Sequence, residues 1–269
     1  MKGRVLIAAG SDSGGGAGIQ ADIKAVTALR GFAMTAITAL TAQNTLGVHG
    51  VAGVPIDFIR QQIAVVLDDL GADAIKTGML HSVPVIEAVC EELGTRAKGI
   101  PLVADPVMVA KGGHALLVPE AVETLKARLL PLATVITPNL PEAEVLVGHP
   151  IRDVADMRQA ASALRSLGVP AVLLKGGHLE GPEVTDLLVT PEGSEEFTSA
   201  RIETQHTHGT GCTLASAIAT GLAQGMSLRE AVMRARSYVR AAIAAAPGYG
   251  AGHGPLDHGI TFDPSRLPR

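Results

Sequence analysis

The 269-residue chain is poor in aromatic side chains: it has no tryptophan, two tyrosines and four phenylalanines. Because proteins that bind single-stranded nucleic acids stack the bases on aromatic rings, this scarcity excludes a surface of that kind. The chain is equally poor in cysteine, since Cys90 and Cys212 form neither a disulfide framework nor a Cys-x-x-Cys motif. This cysteine usage predicts a reducing, cytoplasmic location.

A surplus of positive charge and long apolar runs are also missing. Lysine and arginine number 22 against 26 aspartates and glutamates, and the net charge of −4 argues against nucleic-acid binding. No apolar run approaches the ~20 residues that a membrane-spanning helix needs, and the first run, residues 5–9, precedes no signal-peptide cleavage pattern. We therefore expect a soluble protein that binds neither nucleic acid nor a membrane.

Short apolar runs alternate with amphipathic segments along the chain. Continuous apolar strands separated by helices indicate a parallel sheet that is covered by helices on both faces. No long linker, repeat or low-complexity tract interrupts the pattern, so we predict an α/β fold and a single domain over residues 1–269. The predicted strands are residues 5–9, 33–40, 74–77, 102–104, 134–136, 171–174, 184–190 and 195–200, and the predicted helices are residues 19–29, 56–70, 83–93, 119–130, 141–146, 154–167, 211–223 and 228–245.

Polar residues follow six of the predicted strands. Because ligands of open α/β sheets bind beyond the carboxyl ends of the strands, we expect these six clusters to meet at one crevice. The clusters are Ser11-Asp12-Ser13-Gly14, Thr41-Ala42-Gln43-Asn44, Lys76-Thr77-Gly78-Met79, Asp105-Pro106-Val107-Met108, Thr137-Pro138-Asn139 and Lys175-Gly176-Gly177-His178.

The most informative segment is a glycine-rich turn over residues 206–213, His-Thr-His-Gly-Thr-Gly-Cys-Thr, which precedes an apolar, helix-forming run. A helix start leaves several backbone N–H groups unpaired and carries partial positive charge, so it favours an anion. We expect the Cys212 thiolate to be favoured there and its pKa lowered, which would place a proton acceptor beside a transferred phosphoryl group. The alternative is structural, because a glycine-rich helix start with a small buried cysteine has the same sequence.

A second glycine-rich segment, residues 14–21, follows the first predicted strand. Residues 16–21 satisfy the dinucleotide pattern G-x-G-x-x-G/A, but no aspartate or glutamate occurs from 23 to 56 to hold a ribose. We interpret the segment as a flexible loop that closes over a substrate, with a plain tight connection as the alternative. Asp22, one turn into the next helix, could face the crevice or stabilise the helix start.

Two polar clusters allow either a ligand or a structural role. The carboxamide of Gln43 complements an amino group beside a ring nitrogen and so suits an aminopyrimidine, but the same cluster could form a turn. Asn139 and Glu142 have the spacing of a helix cap and capping box, and their oxygens also suit a hydrated Mg²⁺.

Lys175, at the end of an apolar strand and beside two glycines, could meet a phosphate or could be a solvated strand end. His206 and His208 lack a third ligand, so the sequence does not predict a zinc site.

The chain resembles the hydroxymethylpyrimidine/phosphomethylpyrimidine kinases of thiamine biosynthesis, which belong to the ribokinase-like superfamily. The identities and order of the motifs carry this resemblance, and together they cover nearly the whole chain. They are AAGSDSGGGAGIQAD (8–22), TALTAQNT (38–45), KTGML (76–80), DPVMVAK (105–111), ITPNLPEA (136–143), LKGGH (174–178) and THGTGCT (207–213).

The resemblance implies a ribokinase-like three-layer α/β/α sandwich with a mostly parallel central sheet. It also implies two successive ATP-dependent phosphorylations, first of 4-amino-5-hydroxymethyl-2-methylpyrimidine and then of its monophosphate, with Mg²⁺ as cofactor. Relatives suggest a homodimer. Matched motif by motif, the resemblance implies that the substrate is bound by Gln43, Met79, Val107 and nearby Asp22. The anion hole for the transferred phosphoryl group would be Gly209, Thr210 and Gly211. Asn139 and Glu142 would serve Mg²⁺ and the ATP phosphates, and Lys175 would add positive charge.

Cys212 stands where the wider superfamily usually has aspartate, and cysteine matches the pyrimidine kinases. It would either accept the hydroxyl proton or form part of the anion hole.

Three other functions compete with this one. A pyridoxal kinase of the same superfamily is the nearest, and dual activity is compatible with the motifs. An enzyme that uses Cys212 as nucleophile and His208 as base is a second, although the segment lacks a group to orient the base. A non-catalytic pyrimidine-binding protein is the third, but it would have no need for Lys175 or Glu142.

Overall fold

The computed structural model describes residues 2–109, 113 and 116–262, so Ala110 and Lys111 of the DPVMVAK motif lie outside the described residues. Nine strands within this part of the chain form one sheet: β1 (Arg4–Asp12), β2 (Phe32–Asn44), β3 (Gly47–Gly53), β4 (Ala74–Thr77), β5 (Leu102–Ala104), β6 (Val135–Ile136), β7 (Ala171–Leu174), β8 (Glu183–Thr190) and β9 (Gly193–Ala200). Their order is β3-β2-β1-β4-β5-β6-β7-β8-β9. The central strands from β2 to β7 run parallel, whereas β3, β8 and β9 pair antiparallel at the two edges.

Helices cover both faces of this sheet. They are α1 (Gly18–Ala28), α2 (Ile56–Asp69), α3 (Val83–Arg96), α4 (Ala121–Thr124), α5 (Leu140–Val147), α6 (Val154–Ser166), α7 (Thr210–Ala223) and α8 (Leu228–Ala244). Side chains from α2 to α6 form the core on one face, and those from α1, α7 and α8 form the core on the other. No helix in the described ranges is long and apolar enough to cross a membrane.

The alternation of side chains along β1 explains why the sheet is buried on both faces. Leu6 and Ala8 point into one core, whereas Val5, Ile7 and Ala9 point into the other, and none of the five is more than 1% exposed. Successive strand residues face opposite sides, so an unbroken apolar run needs a helix layer on each side. Full burial of one leucine or isoleucine contributes about 1.5–3 kcal/mol.

The structure differs from the sequence-based prediction in two elements. The segment predicted as a helix over residues 119–130 is helical but not uniformly α-helical: α4 has one turn and continues as a π-helical turn (Leu125–Leu129) and a 3₁₀ turn (Leu130–Leu132). Pro131 explains the change, because proline cannot donate the α-helical hydrogen bond and its ring crowds the carbonyl four residues earlier. The edge strand β3 was not predicted, because three of its seven residues are glycine, which is depleted in strands.

The strand order places a ligand-binding crevice beside β1. The chain moves from β1 to β2 on one side and later returns to β4 on the other side, and all three strands are parallel. At such a switch point the loops after neighbouring strands turn away from each other and leave a crevice at the carboxyl ends.

Candidate active site

A cavity of about 360 Å³ opens at the carboxyl end of the sheet. Every one of the six polar clusters contributes to its wall, which confirms that they meet at one crevice. Their contributions are Ser11, Asp12, Thr41, Gln43, Lys76, Met79, Asp105, Val107, Met108, Asn139, Lys175 and His178.

A second cavity of about 290 Å³ adjoins the first. A glycine-rich turn over residues 207–211, which we call the 207–211 turn, lines the first cavity, and the two cavities share its residues Thr207, Thr210 and Gly211 together with Asn139 and Lys175. The second cavity adds apolar side chains and three arginines: Val184, Ile202, Leu214, Val239, Ile243, Arg201, Arg236 and Arg240. Sequence reasoning missed this second set of residues, because they come from β8, the segment after β9, α7 and α8 and form no local motif.

The 207–211 turn has a geometry that only glycine tolerates at its centre. Gly209 precedes α7 with a φ of +82°, and a Cβ atom there would lie 1.8 Å from the carbonyl oxygen of Gly16. The Gly209 carbonyl oxygen accepts hydrogen bonds from the Thr213 N–H at 2.9 Å and the Thr213 hydroxyl at 2.8 Å. The first N–H groups of α7 therefore point toward the junction of the two cavities, where an anion is favoured.

The glycine-rich loop over residues 14–17 is pinned rather than free, which corrects the expectation of a flexible closing loop. The buried Asp12 carboxylate accepts backbone hydrogen bonds from Gly14 at 2.8 Å, Gly16 at 3.1 Å and Ala17 at 2.8 Å. It also contacts His208 Nε2 at 2.8 Å, which ties this loop to the 207–211 turn. Burial opposes ionisation of Asp12, but its hydrogen bonds to His208 and the loop amides outweigh burial and lower its pKa.

Asp22 lies behind the cavity wall, which corrects the expectation that it contacts the substrate. Its two carboxylate oxygens lie 2.9 Å from Lys76 Nζ, and the Ser216 hydroxyl donates to Oδ1 at 2.7 Å. Both charged side chains are 0% exposed. Burial opposes a charge on Lys76, but the nearby carboxylates, Asp22 first among them, hold its pKa above the ordinary value. Lys76, which sequence reasoning left without a role, is the cationic member of this pair that reaches the cavity.

Cys212 lines the first cavity but does not have the lowered pKa expected at a helix start. Burial raises the pKa of Cys212 to about 12, and the Lys76 ammonium opposes this shift only in part. The residue is therefore a thiol at neutral pH, because the loss of hydration outweighs the partial charge of the helix terminus. The raised pKa counts against Cys212 as a nucleophile, whereas the Asp12 carboxylate that pairs with His208 Nε2 would orient that ring.

A second set of buried charges connects the two cavities. Lys175 Nζ lies 3.0 Å from Asp105 Oδ1 and 4.0 Å from Glu142 Oε2, and Thr137 donates to Asp105 at 3.0 Å. The acids are 2% and 6% exposed, respectively. Burial raises the pKa of Glu142 to about 7, although the Lys175 ammonium acts in the opposite direction. Asp105 is a further site residue that sequence reasoning left without a role.

The predicted helix cap at α5 is confirmed. Asn139 Oδ1 accepts from the Glu142 N–H at 2.9 Å, and Glu142 Oε2 accepts from the Asn139 N–H at 2.8 Å, so the capping box is complete. Both residues also line the first cavity. The structural and ligand-binding interpretations are therefore compatible, because capping fixes the two side chains at the edge of the cavity.

Gln43, Met79 and Val107 line the first cavity together. Thr41 Oγ1 contacts Gln43 Oε1 at 3.0 Å, and in the described part of the chain Gln43 Nε2 has no hydrogen-bond partner. Met79 is 7% exposed, and its sulfur packs so closely on Gly10 that a Cβ atom there would lie 2.9 Å away. An apolar slot with one available amide end suits a flat ring that carries a polar edge.

The raised pKa of Glu142 predicts a pH-dependent stability. Its folded-state pKa of about 7 lies above the ordinary 4.5, so the folded protein keeps a proton that the unfolded chain releases. Stability is then highest below pH 4.5 on this account and falls as pH rises through 7, by about 3 kcal/mol at ~1.4 kcal/mol per pKa unit. We expect Glu142→Gln, which keeps the capping acceptor, to remove this slope in urea unfolding between pH 5 and pH 8.

Glu144→Gln is the matched control, because Glu144 is on the same helix but accepts from the Ile151 N–H at 2.7 Å. An equal slope in the wild type and Glu142→Gln would mean that another group titrates.

The chain matches the phosphomethylpyrimidine kinase family over residues 12–257. It is 52% identical to the hydroxymethylpyrimidine/phosphomethylpyrimidine kinase of Streptomyces coelicolor, over 95% of this chain and 94% of that protein. It is 53% identical to the thiamine biosynthesis bifunctional protein ThiED of Geobacter sulfurreducens over 96% of this chain. The match covers 52% of the length of that longer protein.

Two solved structures share the fold. The ADP complex of Bacillus subtilis pyridoxal kinase has a TM-score of 0.89 and 39% identity, and the match covers 96% of this chain and 98% of that one. Phosphomethylpyrimidine kinase from Clostridium difficile has a TM-score of 0.79 and 43% identity, over 89% of this chain and 98% of that one. The expected ribokinase-like α/β architecture is thereby confirmed.

Proposed function

The chain belongs to the phosphomethylpyrimidine kinase family, and we propose that it phosphorylates 4-amino-5-hydroxymethyl-2-methylpyrimidine and then the resulting monophosphate, using ATP. The observation that carries this proposal is the pair of adjoining cavities that meet at the 207–211 turn. A kinase needs a pocket for each substrate and an anion-binding group between them, so that the phosphoryl group moves over a short distance.

The pyrimidine would occupy the first cavity. Met79 and Val107 would pack against the ring, and Gln43 would pair with its amino group and the adjacent ring nitrogen. The hydroxymethyl group, on the ring carbon next to the one that carries the amino group, would then face the 207–211 turn, which lines the same cavity as Gln43.

ATP would occupy the second cavity, with its phosphates at the shared wall. The apolar side chains of β8, α7 and α8 would cover the base, and Lys175 would contact the phosphates beside the amino end of α7. Gly209, Thr210 and Gly211 would bind the transferred phosphoryl group through backbone N–H groups, whose orientation is set before the substrate arrives.

In the transfer step the hydroxymethyl oxygen forms a bond to the γ-phosphorus, and the bond from that phosphorus to the β–γ bridging oxygen breaks. Charge on the phosphoryl oxygens would be stabilised by the 207–211 turn, by the buried Lys76 and by the half-buried Lys175. In a loose transition state the hydroxyl proton leaves late, so it can pass to an oxygen of the transferred phosphate and no strong base is required. We propose that Cys212 forms part of the anion hole as a thiol.

Glu142 and Asn139 would hold Mg²⁺, with the ATP phosphates and water supplying the remaining ligands. In residues 2–109, 113 and 116–262 no three His, Cys, Asp or Glu side chains form a metal cluster. This donor set fits Mg²⁺, which keeps several waters and takes only one or two carboxylates beside substrate phosphates. The buried Glu142 oxygens lie at the edge that the nucleotide phosphates would reach. When bound, the ion would neutralise phosphate charge.

The first experiment is incubation of the protein with Mg²⁺, ATP and the hydroxymethyl aminopyrimidine, followed by mass spectrometry. Monophosphate followed by diphosphate supports the proposal. Pyridoxal is the second substrate to test, because the similar Bacillus subtilis structure is a pyridoxal kinase. Phosphorylation of pyridoxal alone would replace the proposed function, and binding of the pyrimidine with no turnover of either alcohol would indicate a binding protein.

Gln43→Leu is expected to weaken recognition of the pyrimidine. Loss of the paired amide leaves the polar edge of the ring unsatisfied, so kcat/KM for the pyrimidine should fall about 10- to 30-fold while KM for ATP stays constant. Steady-state kinetics with each substrate varied measures both effects. Asn44→Ala is the control, because Asn44 lines neither cavity and its Oδ1 contacts the turn amides of Leu46 and Gly47 and the ring of His49. Equal losses in the two variants would count against a recognition role for Gln43.

Cys212→Ala is expected to lower kcat only about 10-fold and to leave ATP binding unchanged. Loss of a general base would cost about 10²–10⁴-fold instead. Cys90→Ala is the control, because Cys90 is a buried cysteine on α3 that lies in the core. Stopped-flow measurement of the transfer rate distinguishes the two magnitudes, and a loss above 10²-fold would return the base role to Cys212.

We also propose that the chain acts as a single kinase domain and forms a cytoplasmic homodimer. The edge of the sheet supports self-association, because Leu40, Leu46 and Val51 of the β2–β3 hairpin are 49%, 67% and 43% exposed. Clusters of exposed apolar side chains on an edge strand are typical of an interface. Light scattering coupled to gel filtration would report a monomer if this proposal is wrong.

A further inference from the structure

The segment after α8 returns to the 207–211 turn and pairs with it. The carbonyl oxygen of Gly254 accepts from the His208 N–H at 3.1 Å, and Pro255 forms a parallel bridge with His208. Three residues later His258 packs against the first turn of α7 and is only 5% exposed. The Tyr238 hydroxyl of α8 holds this residue in place by donating to its carbonyl oxygen at 2.8 Å.

The His258 side chain begins a short hydrogen-bonded chain that ends at the 207–211 turn. Its Nε2 lies 2.9 Å from Thr213 Oγ1, and that hydroxyl donates to the Gly209 carbonyl oxygen at 2.8 Å. Burial lowers the pKa of His258 to about 4, so the ring is neutral at physiological pH. A neutral imidazole has one donor and one acceptor nitrogen, and a hydroxyl both donates and accepts, so every contact can be satisfied.

Fixing the Gly209 carbonyl group also fixes the N–H group on the other side of the peptide bond. Because the peptide is planar and trans, the Gly209 carbonyl and the Thr210 N–H rotate together and point in opposite directions. The Thr210 N–H has one recorded backbone partner in the described residues, Thr207 O at a long 3.4 Å. Thr210 lines both cavities, so this N–H is available to an anion there.

We propose that His258 is a positioning residue for phosphoryl transfer, which acts through Thr213 to hold the Gly209–Thr210 peptide plane in its anion-binding orientation. The proposal rests on the kinase function proposed above. His258 lies one residue beyond the stretch that matches the family, residues 12–257. It lines neither cavity in the part of the chain that the structure describes. Its loss should therefore affect the rate of transfer and leave binding of the pyrimidine unchanged.

Thr213→Val and His258→Leu each remove one member of the chain. We expect each to lower kcat about 10-fold and to change KM for ATP and for the pyrimidine by less than about twofold. Because the two side chains act in series, the double variant should be no slower than either single variant. Thr213→Ser and His258→Gln keep a hydroxyl and a side-chain N–H, so they should recover most of the rate.

Thr220→Val is the matched control for helix stability. Thr220 lies two turns further along α7, is 0% exposed, and its hydroxyl makes the same kind of bond, to the Ser216 carbonyl oxygen at 2.7 Å. We expect this variant to keep the wild-type kcat. A loss of rate equal to that of Thr213→Val would show that the effect is one of helix stability and would overturn the proposal.

A measurement without substrate separates this inference from the proposed function. In amide hydrogen exchange followed by NMR, Thr213→Val and His258→Leu should speed exchange at Thr210 and Gly211 about 10-fold, with no change in Thr220→Val. Unchanged exchange in both variants, or additive losses of kcat in the double variant, would overturn the positioning role. If the wild-type protein phosphorylates no pyrimidine, the proposed function fails while the exchange rates still decide whether His258 orders the turn.

Discussion

Gly209→Ala is expected to lower kcat by about 10²–10³-fold, the scale of losing an anion-hole donor. The added methyl group would lie 1.8 Å from the Gly16 carbonyl oxygen, and the backbone φ of +82° strains any residue with a side chain. The 207–211 turn would have to move away from the glycine-rich loop that Asp12 holds against it. The N–H groups at the start of α7 would then no longer converge on one point.

Gly225→Ala is the control for strain without a clash. Gly225 follows α7 with a φ of +84°, and nothing lies within 4 Å of an added Cβ atom. This variant should lose about 1–2 kcal/mol of unfolding free energy through backbone strain alone and should keep its kcat. Steady-state kinetics and urea unfolding on both variants test the prediction. Equal kcat values for the two variants would mean that the 207–211 turn does not bind the transferred group.

Lys76→Met is expected to destabilise the fold by about 3–5 kcal/mol, because it leaves the Asp22 carboxylate buried without a counter-ion. Asp22 and Lys76 are both 0% exposed and lie 2.9 Å apart, so water cannot replace the lost partner. Urea unfolding measures this loss. An isosteric apolar side chain fills the volume of the lysine stem, so the loss reports charge rather than packing.

The double variant Asp22→Asn/Lys76→Met separates the two roles of this pair. With no unpaired charge left, most of the unfolding free energy should return, while kcat stays about 10-fold low because the cation beside the 207–211 turn is missing. Recovery of kcat together with stability would reduce Lys76 to a purely structural residue. An Asp22→Asn variant alone completes the double-mutant cycle.

The sequence pattern was sufficient for the elements that depend on near neighbours. Strands such as β4 and β7 follow from continuous apolar runs, and the Asn139–Glu142 capping box follows from a three-residue spacing. The meeting of six polar clusters also followed, because the carboxyl ends of parallel strands lie at one edge of a sheet. Each of these inferences needs only periodicity or the direction of a strand.

Properties that depend on burial and on distant partners could not be read in the same way. Asp22 and Lys76 are 54 residues apart, and Asp12 and His208 are 196 apart, so neither pair has a local signature. The helix start at Cys212 suggested a lowered pKa, but only the tertiary packing of this half-buried residue shows that its pKa is raised.

The sequence alone was enough to establish the α/β class, the positions of most strands and helices, the resemblance to a kinase family and the residues around one crevice. The three-dimensional arrangement was needed to show that Asp22 faces Lys76 instead of the substrate, that the glycine-rich loop is pinned, and that a second cavity adjoins the first. The physical reason is that hydrophobic periodicity records which side of an element is buried, whereas the free energy of a charge depends on which distant groups remove its water and which replace it.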